Sequence, residues 1–205
     1  MVRYREPKNR IARRFGANIF GRLRNPMLHK PHPPGMHGQK RKKKSDFGVQ
    51  LEEQQKLKAV YGMLTQKQLL RYYREAQRIE GNTPHILMQL LEMRLDNVVY
   101  KMGLASTVFH AHQLISHGHI LVNGKKVDIR SFKVKAGMEI SLKEKALNNP
   151  IVKQALTSGR DIPEYYAVDL EKGKGTVQSL PQFDQISLPL PINVALVCEF
   201  LAHQH

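Results

Sequence analysis

The chain has 205 residues, a formal net charge of +16 and 41% hydrophobic residues, which fits a folded protein with an anionic partner. Its single cysteine, Cys198, excludes an internal disulfide framework and a structural zinc site built from several cysteines. The first residues lack the apolar run of a secretory signal, and no apolar stretch reaches the length of a membrane span. We therefore expect a soluble protein of a reducing compartment without a membrane partner.

Residues 1–44 form a basic arm that holds 14 Lys or Arg residues and one acid. The prolines and glycines of Lys30–Gly38 (KPHPPGMHG) disfavour helix, so we predict an extended arm with little regular structure. Such an arm repels itself and needs a polyanion to order it. Tyr4, Phe15 and Phe20 add rings on which bases can stack, which favours an RNA-binding arm over a passive charged tail. An anionic membrane surface is a weaker alternative, because the arm lacks the amphipathic face that a surface helix needs.

Helical patterns follow the arm. The spacing predicts helices over residues 45–62, 65–81, 83–94 and 94–103. Thr65 and Gln68 form a capping box at the start of the second helix. Arg71, Arg74 and Arg78 recur at three- and four-residue intervals and form one basic stripe along it.

The segment Gly103–Val127 (GLASTVFHAHQLISHGHILVNGKKV) predicts a short helix and then a hairpin. Ser106 is the expected cap of the helix, and Gly118 is its stop. Asn123-Gly124 between two hydrophobic segments indicates a tight hairpin turn, because both residues tolerate positive φ. Later predicted elements are a strand within Val134–Leu142, a helix at Ile151–Leu156 and, in an irregular β tail, a strand at Val194–Phe200.

No residue pattern supports catalysis. The ten histidines match no zinc signature, and a polybasic setting repels a divalent cation. Gly173-Lys174-Gly175-Thr176 lacks the first glycine of a phosphate loop and is interpreted as a turn. Asp96, beside Arg94, is interpreted as an ion-pair or capping residue. We expect no metal, no cofactor and no enzymatic activity.

We assign RNA contacts to cationic, aromatic and hydrogen-bonding side chains of three regions. In the arm they are Arg3, Tyr4, Arg5, Lys8, Arg10, Arg13, Arg14, Arg22, Arg24, His37, Lys40, Arg41, Lys42, Lys43 and Lys44. In the helical region they are Ser45, Lys56, Lys58, Tyr61, Arg71, Arg74 and Arg78. Around the predicted hairpin they are Arg94, His112, Ser116, His117, His119, Asn123, Lys125 and Lys126.

An ordered series of motifs resembles the small-subunit ribosomal protein four family, in its bacterial, cysteine-free form. The series comprises RY.EPK (Arg3, Tyr4, Pro7, Lys8), PPGMHG (33–38), SDFGVQL (45–51), QKLKAVYG (55–62), LLEMRLDNVVYKMG (90–103) and QLISHGHILVNGKKV (113–127). It covers about residues 1–145, and the last sixty residues match loosely.

The resemblance implies an α+β fold, in which a helical domain carries an inserted small α/β RNA-binding module and an extended basic arm. The module combines helices with a short antiparallel sheet. The implied boundaries are 1–44 for the arm, 45–91 with 157–205 for the helical domain, and 92–156 for the module.

The resemblance also implies a structural constituent of the small ribosomal subunit. Such a protein binds the five-prime domain junction of small-subunit ribosomal RNA early and nucleates assembly of the subunit body. It contacts small-subunit ribosomal protein five at a boundary linked to translational accuracy, and Lys40, Arg41 and Lys43 lie near the path by which messenger RNA enters. No homo-oligomer is expected, and the ribosome is cytoplasmic or organellar.

The chain departs from the family pattern at several positions. The arm has no metal-binding cysteines, Glu6 replaces a glycine, Val108 and His112 replace arginines, and the C-terminus LVCEFLAHQH lacks the usual basic ending. The alternatives are an RNA-modifying or aminoacylating enzyme, or a ribosome-rescue factor, that carries the same module. The enzyme needs a catalytic domain of well over a hundred residues, and the rescue factor leaves the arm and helical region unexplained.

Overall fold

The computed structural model describes residues 4, 6–21, 25, 27–40 and 43–204. These residues form two compact units: unit 1 contains the described residues up to 87 together with 187–204, and unit 2 contains residues 88–186. Among the described residues, no helix is long and apolar enough to cross a bilayer.

The described residues form a mixed α and β protein in which six helices precede the first strand. In chain order they are α1 (Lys8–Phe15), α2 (Asp46–Val60), α3 (Gln66–Arg78), α4 (Thr83–Glu92), α5 (Leu95–Lys101), α6 (Val108–Ser116), β1 (Ile120–Val122), β2 (Lys125–Lys126), β3 (Glu139–Leu142), α7 (Glu144–Leu147), α8 (Pro150–Leu156), β4 (Tyr166–Asp169), β5 (Lys174–Val177), a 3₁₀ helix (Phe183–Gln185) and α9 (Val194–Ala202). The division between the units falls within α4.

The predicted start of α3 is confirmed. Thr65 Oγ1 accepts a hydrogen bond from the Gln68 amide at 3.2 Å, and Gln68 Oε1 accepts one from the Thr65 amide at 3.2 Å. This reciprocal capping box satisfies two backbone N–H groups that a helix start otherwise leaves without partners.

The expectation of little regular structure in the arm is wrong over α1. Gly16 ends this helix in the left-handed conformation at φ 68°, and Arg13 and Arg14 lie in its last turn, where cations interact favourably with the helix dipole. Ala12 and, beyond the helix, Ile19 and Phe20 are buried. This part of the arm therefore folds by burying apolar side chains within unit 1.

The predicted C-terminal strand is also wrong, because residues 194–202 form helix α9. Asn193 Oδ1 caps the helix by accepting hydrogen bonds from the Ala195 and Leu196 amides. Val194, Val197, Phe200 and Leu201 are buried, and their spacing is that of one helical face.

Helix α9 packs against α2 inside unit 1. The Phe47 and Phe200 rings lie 5.4 Å apart between centroids, and Glu53 Oε2 accepts a hydrogen bond from the Asn193 amide at 2.7 Å. The C-terminal residues thereby complete the helical unit that begins with the arm.

Unit 2 contains an antiparallel five-stranded sheet in the order β2-β1-β3-β5-β4. Because β5 pairs with β3, residues 166–177 extend the sheet that the hairpin begins. The expected module boundary at residue 156 therefore differs from the end of unit 2 at residue 186.

The predicted hairpin is confirmed in register and turn. Val122 faces Lys125 across the turn, and Asn123 and Gly124 have φ values of 48° and 76°. The Asn123 side chain accepts a hydrogen bond from the Glu139 amide at 2.8 Å, which ties the turn to β3. The expected Ser106 cap of α6 is wrong by one residue, because Thr107 caps the helix by accepting from the His110 amide.

A buried ionic network joins α5 and α6 in unit 2. The Arg94 guanidinium donates to both Asp96 carboxylate oxygens at 3.0 and 2.6 Å. His112 Nε2 lies 3.1 Å from Asp96 Oδ2, and Arg130 Nη1 lies 3.0 Å from His112 Nδ1. Because an arginine can only donate, His112 accepts at Nδ1 and donates from Nε2 to the carboxylate. The interpretation of Asp96 as an ion-pair residue is confirmed.

The surroundings of Asp96 favour its ionised form. Burial by itself raises the pKa of the Asp96 carboxyl, but the Arg94 charge and the hydrogen bonds from His112 and Arg94 outweigh burial and hold that pKa below its usual value. The carboxylate therefore stabilises the fold above about pH 4, its unfolded-state range, and this stabilisation is lost as the pH falls through the lower folded-state pKa.

We expect Asp96→Asn to lower the free energy of unfolding by about 3–5 kcal/mol, because the substitution leaves the Arg94 guanidinium buried without its counter-charge. Urea denaturation at pH 7 measures the change. Asp169→Asn is the matched control, since it removes an exposed carboxylate that pairs with Lys172, and it should leave the unfolding midpoint unchanged. Equal effects of the two substitutions would contradict this role of Asp96.

Candidate nucleic-acid interface

In unit 1, the predicted arginine stripe lies along the exposed face of α3. Arg71, Arg74 and Arg78 are all exposed, whereas Leu69, Tyr72, Tyr73 and Ala76 of the same helix are buried. The helix therefore presents three guanidinium groups at intervals of one turn to its surroundings. A row of this kind suits the phosphates of a nucleic-acid backbone, since arginine can donate two hydrogen bonds to one phosphate.

The arm helix α1 divides its cations between the surface and internal contacts. Arg10 and Arg14 are exposed, and Lys8 is partly exposed. Arg13 instead donates from Nε to the carbonyl oxygens of Lys30 and His32, at 3.2 and 3.1 Å. Its assignment as a direct RNA contact is therefore revised, because its guanidinium faces the chain's own backbone.

The segment before α2 is exposed at most of its assigned positions. His37, Lys40, Lys43, Lys44 and Ser45 are all exposed. Lys44 Nζ forms an ion pair with Glu52, and the Ser45 hydroxyl accepts a hydrogen bond from the Gly48 amide, which caps α2. His37, Lys40 and Lys43 are the better placed of these side chains for an RNA contact.

The residues assigned as RNA contacts in α2 and directly after it are paired or buried within the fold. Lys56 Nζ forms an ion pair with Glu53 at 2.5 Å, and Lys58 Nζ donates to Gln66 Oε1 at 3.1 Å. Burial lowers the pKa of the Lys58 ammonium. Tyr61 is only 1% exposed. The structure therefore does not support direct RNA contacts from Tyr61, and it gives Lys56 and Lys58 partners within the fold.

Base stacking by the arm aromatics is revised in the same way. Phe20 is 2% exposed and belongs to the interior of unit 1, so it offers no surface to a base. Phe15 is partly exposed and lies beneath the Arg14 guanidinium at 5.6 Å from its ring centroid. Tyr4 is partly exposed, and burial followed by the Glu6 charge raises the pKa of its hydroxyl.

In unit 2, two assigned residues belong to the interior. Arg94 is 3% exposed and His112 is 9% exposed, and both are held by Asp96 in the buried network. Their assignments as RNA contacts are corrected, because a phosphate cannot reach them without breaking these ion pairs. The reason is burial, which charge and residue type do not reveal.

The turn between α6 and β1 carries a cationic cluster, here defined as His117, His119, Lys126, Lys143 and Lys145. The imidazole rings of His117 and His119 lie 6.1 Å apart between centroids. The Lys126 side chain covers Gly118, so that a Cβ at residue 118 would overlap its Cε and lie 3.1 Å from its Nζ. The Lys143 amide donates to the His119 carbonyl oxygen at 2.9 Å, which brings the start of α7 to the same place.

The charges of this cationic cluster act on one another. Burial, then the neighbouring charges of His117, Lys143 and Lys145, lower the pKa of the His119 imidazole. Several positive groups thus lie in one small region, where a bound anion would reduce the repulsion between them. Sequence reasoning missed Lys143 and Lys145, although their place directly after β3, the strand paired with β1, was a usable signal.

The other assigned hairpin residues are exposed. Ser116 ends α6, Lys125 lies on β2, and Asn123 uses its side-chain carbonyl to accept the Glu139 amide hydrogen bond. Arg3, Arg5, Arg22, Arg24, Arg41 and Lys42 were also assigned, and they lie outside the described residues. Within the described ranges, no group of three or more His, Cys, Asp or Glu side chains is arranged to hold a metal ion.

Comparison with known proteins bears directly on these surfaces. The sequence profile described as the ribosomal protein S4/S9 N-terminal domain matches residues 3–92, and that of the S4 domain, an RNA-binding domain, matches residues 93–140. Small ribosomal subunit protein uS4 of Chlamydia muridarum is 57% identical over 208 aligned positions, with 100% of both chains covered. The same protein of Protochlamydia amoebophila is 56% identical, with 99% of both chains covered.

The two family profiles together cover the helical residues that carry the arginine stripe and most of the hairpin region. The full-length identity to relatives extends the match through β4, β5 and α9. The chain belongs to the uS4 family of small ribosomal subunit proteins.

Proposed function

We propose that the protein binds small-subunit ribosomal RNA directly, early in assembly, and nucleates assembly of the subunit body. The observation that carries this proposal is the exposed arginine stripe of α3, whose residues Arg71, Arg74 and Arg78 lie on the side of the helix opposite to its buried side chains. The cationic cluster of unit 2 supplies a second contact surface. The role is structural and needs no catalysis.

We propose that the inserted RNA-binding module lies within unit 2 and that the five-prime domain junction of the ribosomal RNA is its target. The exposed side chains of Lys40 and Lys43 support a position near the path of incoming messenger RNA. Contact with small-subunit ribosomal protein five, and through it an influence on translational accuracy, follows from the family resemblance. The protein resides on the ribosome, in a cytoplasm or an organelle.

Sedimentation tests the proposal as a whole. Cell lysate is resolved on a sucrose gradient after a wash in moderate salt, and the protein is quantified against small-subunit RNA. We expect stoichiometric migration with the small subunit and with its early assembly precursors. Absence of the protein from both fractions would refute the proposed role.

Replacing the stripe should reduce the salt dependence of RNA binding. The triple substitution Arg71→Gln, Arg74→Gln and Arg78→Gln should lower the slope of log affinity against log salt by about 2–3, since each lost phosphate contact contributes about 0.7–0.9. Filter binding to a transcript of the five-prime domain, at salt concentrations from about 50 to about 200 mM, measures the slope.

The control for this experiment removes the same charge elsewhere. Lys153, Lys172 and Lys174 are exposed lysines of unit 2 that belong to none of the proposed contact surfaces. Their simultaneous replacement by Gln should leave the slope close to that of the wild type. Equal slopes for the two triple variants would show that net charge, and not the α3 stripe, accounts for the binding.

From the cationic cluster we expect that the His119 imidazole takes up a proton when RNA binds. A phosphate beside the imidazole opposes the cationic neighbours, so the pKa of His119 should rise in the complex and affinity should increase as the pH falls from about 7.5 to about 6. The NMR chemical shift of the His119 ring against pH, with and without RNA, measures the change.

The double substitution Lys143→Gln and Lys145→Gln provides the partner experiment for His119. It should raise the pKa of His119 in the free protein, because it removes two of the charges that lower it, and it should weaken RNA binding. Lys153→Gln with Lys172→Gln is the charge-matched control and should alter neither quantity. A His119 pKa that stays constant on RNA binding would place the phosphate elsewhere.

A further inference from the structure

Arg13 lies on the basic arm helix, yet its guanidinium contacts three backbone carbonyl groups of one loop. Nε lies 3.2 Å from the Lys30 oxygen and 3.1 Å from the His32 oxygen, and Nη2 lies 3.4 Å from the Pro33 oxygen. These acceptors are 17–20 residues away along the chain, so the contacts fold residues 30–38, here called the Pro-His-Gly loop, back onto α1. A planar guanidinium suits this role, because it presents several N–H donors in a fixed arrangement.

At the other end of the same loop, the Gly38 backbone packs closely against the Pro33 carbonyl group. A Cβ at residue 38 would overlap the Pro33 carbonyl oxygen, which is the group that Arg13 Nη2 approaches from α1. The Gly38 amide donates to the Gly35 oxygen at 3.2 Å, and the Lys40 amide donates to the His37 oxygen at 3.1 Å. The obstacle at residue 38 is a backbone atom, so any side chain there requires the loop to shift.

His37 lies on the loop that these contacts hold and Lys40 lies two residues after it, and both side chains are exposed. They are candidate RNA contacts whose positions relative to α1 depend on the course of residues 30–38. A loop held in its bound conformation before RNA arrives loses less conformational entropy on binding, which improves affinity without any added contact.

We propose that Arg13 and Gly38 are positioning residues: they fix the Pro-His-Gly loop so that His37 and Lys40 meet RNA in a set geometry. Arg13 thus contributes to RNA binding through the loop and not through a phosphate of its own. This inference rests on the proposed RNA-binding function and deepens it.

The salt dependence of binding separates a positioning arginine from a phosphate contact. Arg13→Gln should weaken binding to the five-prime domain transcript by about 3- to 30-fold, the equivalent of one or two lost hydrogen bonds, while the slope of log affinity against log salt stays unchanged. Arg10→Gln and Arg14→Gln are matched controls on the same helix, with exposed side chains. At a phosphate-contacting arginine, the slope should fall by about 0.7–0.9.

Gly38→Ala supplies a test without any change of charge. It should reproduce the weaker affinity and the unchanged slope of Arg13→Gln, because it displaces the same loop. Circular dichroism of each variant should match the wild type, since neither residue belongs to the buried core.

Amide hydrogen exchange of the RNA-free protein provides a readout that does not depend on the proposed function. Exchange at the Gly38 and Lys40 amides should be faster in Arg13→Gln than in the wild type, and unchanged in Arg10→Gln and Arg14→Gln. Unchanged exchange in Arg13→Gln, or a slope lowered as at a phosphate contact, would overturn the positioning role. Failure of the wild type to bind RNA would refute the proposed function alone, and exchange would still decide whether Arg13 holds the loop.

Discussion

The Asp96 carboxylate lies inside unit 2, and the arrangement of α5, α6 and the loop before β3 depends on it. Placing a carboxylate and a guanidinium in a protein interior costs several kcal/mol for each ion, on the order of the whole stability of a domain. The cost is offset only where geometry is close to ideal, and here Arg94 binds both carboxylate oxygens while His112 supplies a further hydrogen bond. The Asp96 amide also donates to the Arg130 carbonyl oxygen, so backbone and side-chain contacts fix the same loop.

Other buried acids also pair with cations of the chain, and the cations in these pairs are turned away from solvent. Glu92 is fully buried and pairs with Lys101, and Glu53 pairs with Lys56. Each buried acid holds a cation that neighbours it in space, so these pairs add little to the field outside the protein. The surplus positive charge is consequently concentrated on exposed groups such as the α3 stripe, where it is available to a polyanion.

Sequence patterns predicted most helices and the hairpin because those elements carry strong local signals. The Thr65 and Gln68 capping box and the Asn123-Gly124 turn both act over a few residues, so their geometry follows from residue type. The final apolar run was misread because a stretch of about eight residues fits a strand or a buried helix equally well. Asn193 was the available signal, since an N-cap residue directly before such a run favours helix.

The candidate site was less predictable than the fold, because burial decides whether a cation can meet RNA. Arg94 and Arg78 are the same residue type in basic surroundings, yet one is enclosed by an acid two positions away and the other is exposed on a helix face. The spacing along α3 revealed the exposed face, since its apolar residues occupy the opposite side. No comparable periodicity surrounds Arg94, where every residue from 91 to 99 is buried.

Arg13 shows a further limit of counting charge along a sequence. In the arm it is one of many cations, and its spacing from Arg10 and Arg14 gives no reason to separate it from them. The distinction comes from a loop some twenty residues later, whose carbonyl oxygens lie opposite its guanidinium. Carbonyl oxygens and phosphate oxygens are both acceptors for a guanidinium, so residue type alone does not say which of them an arginine contacts. The number of cations in an arm of this kind is therefore an upper bound on its phosphate contacts, because a cation such as Arg13 holds the backbone of the arm instead.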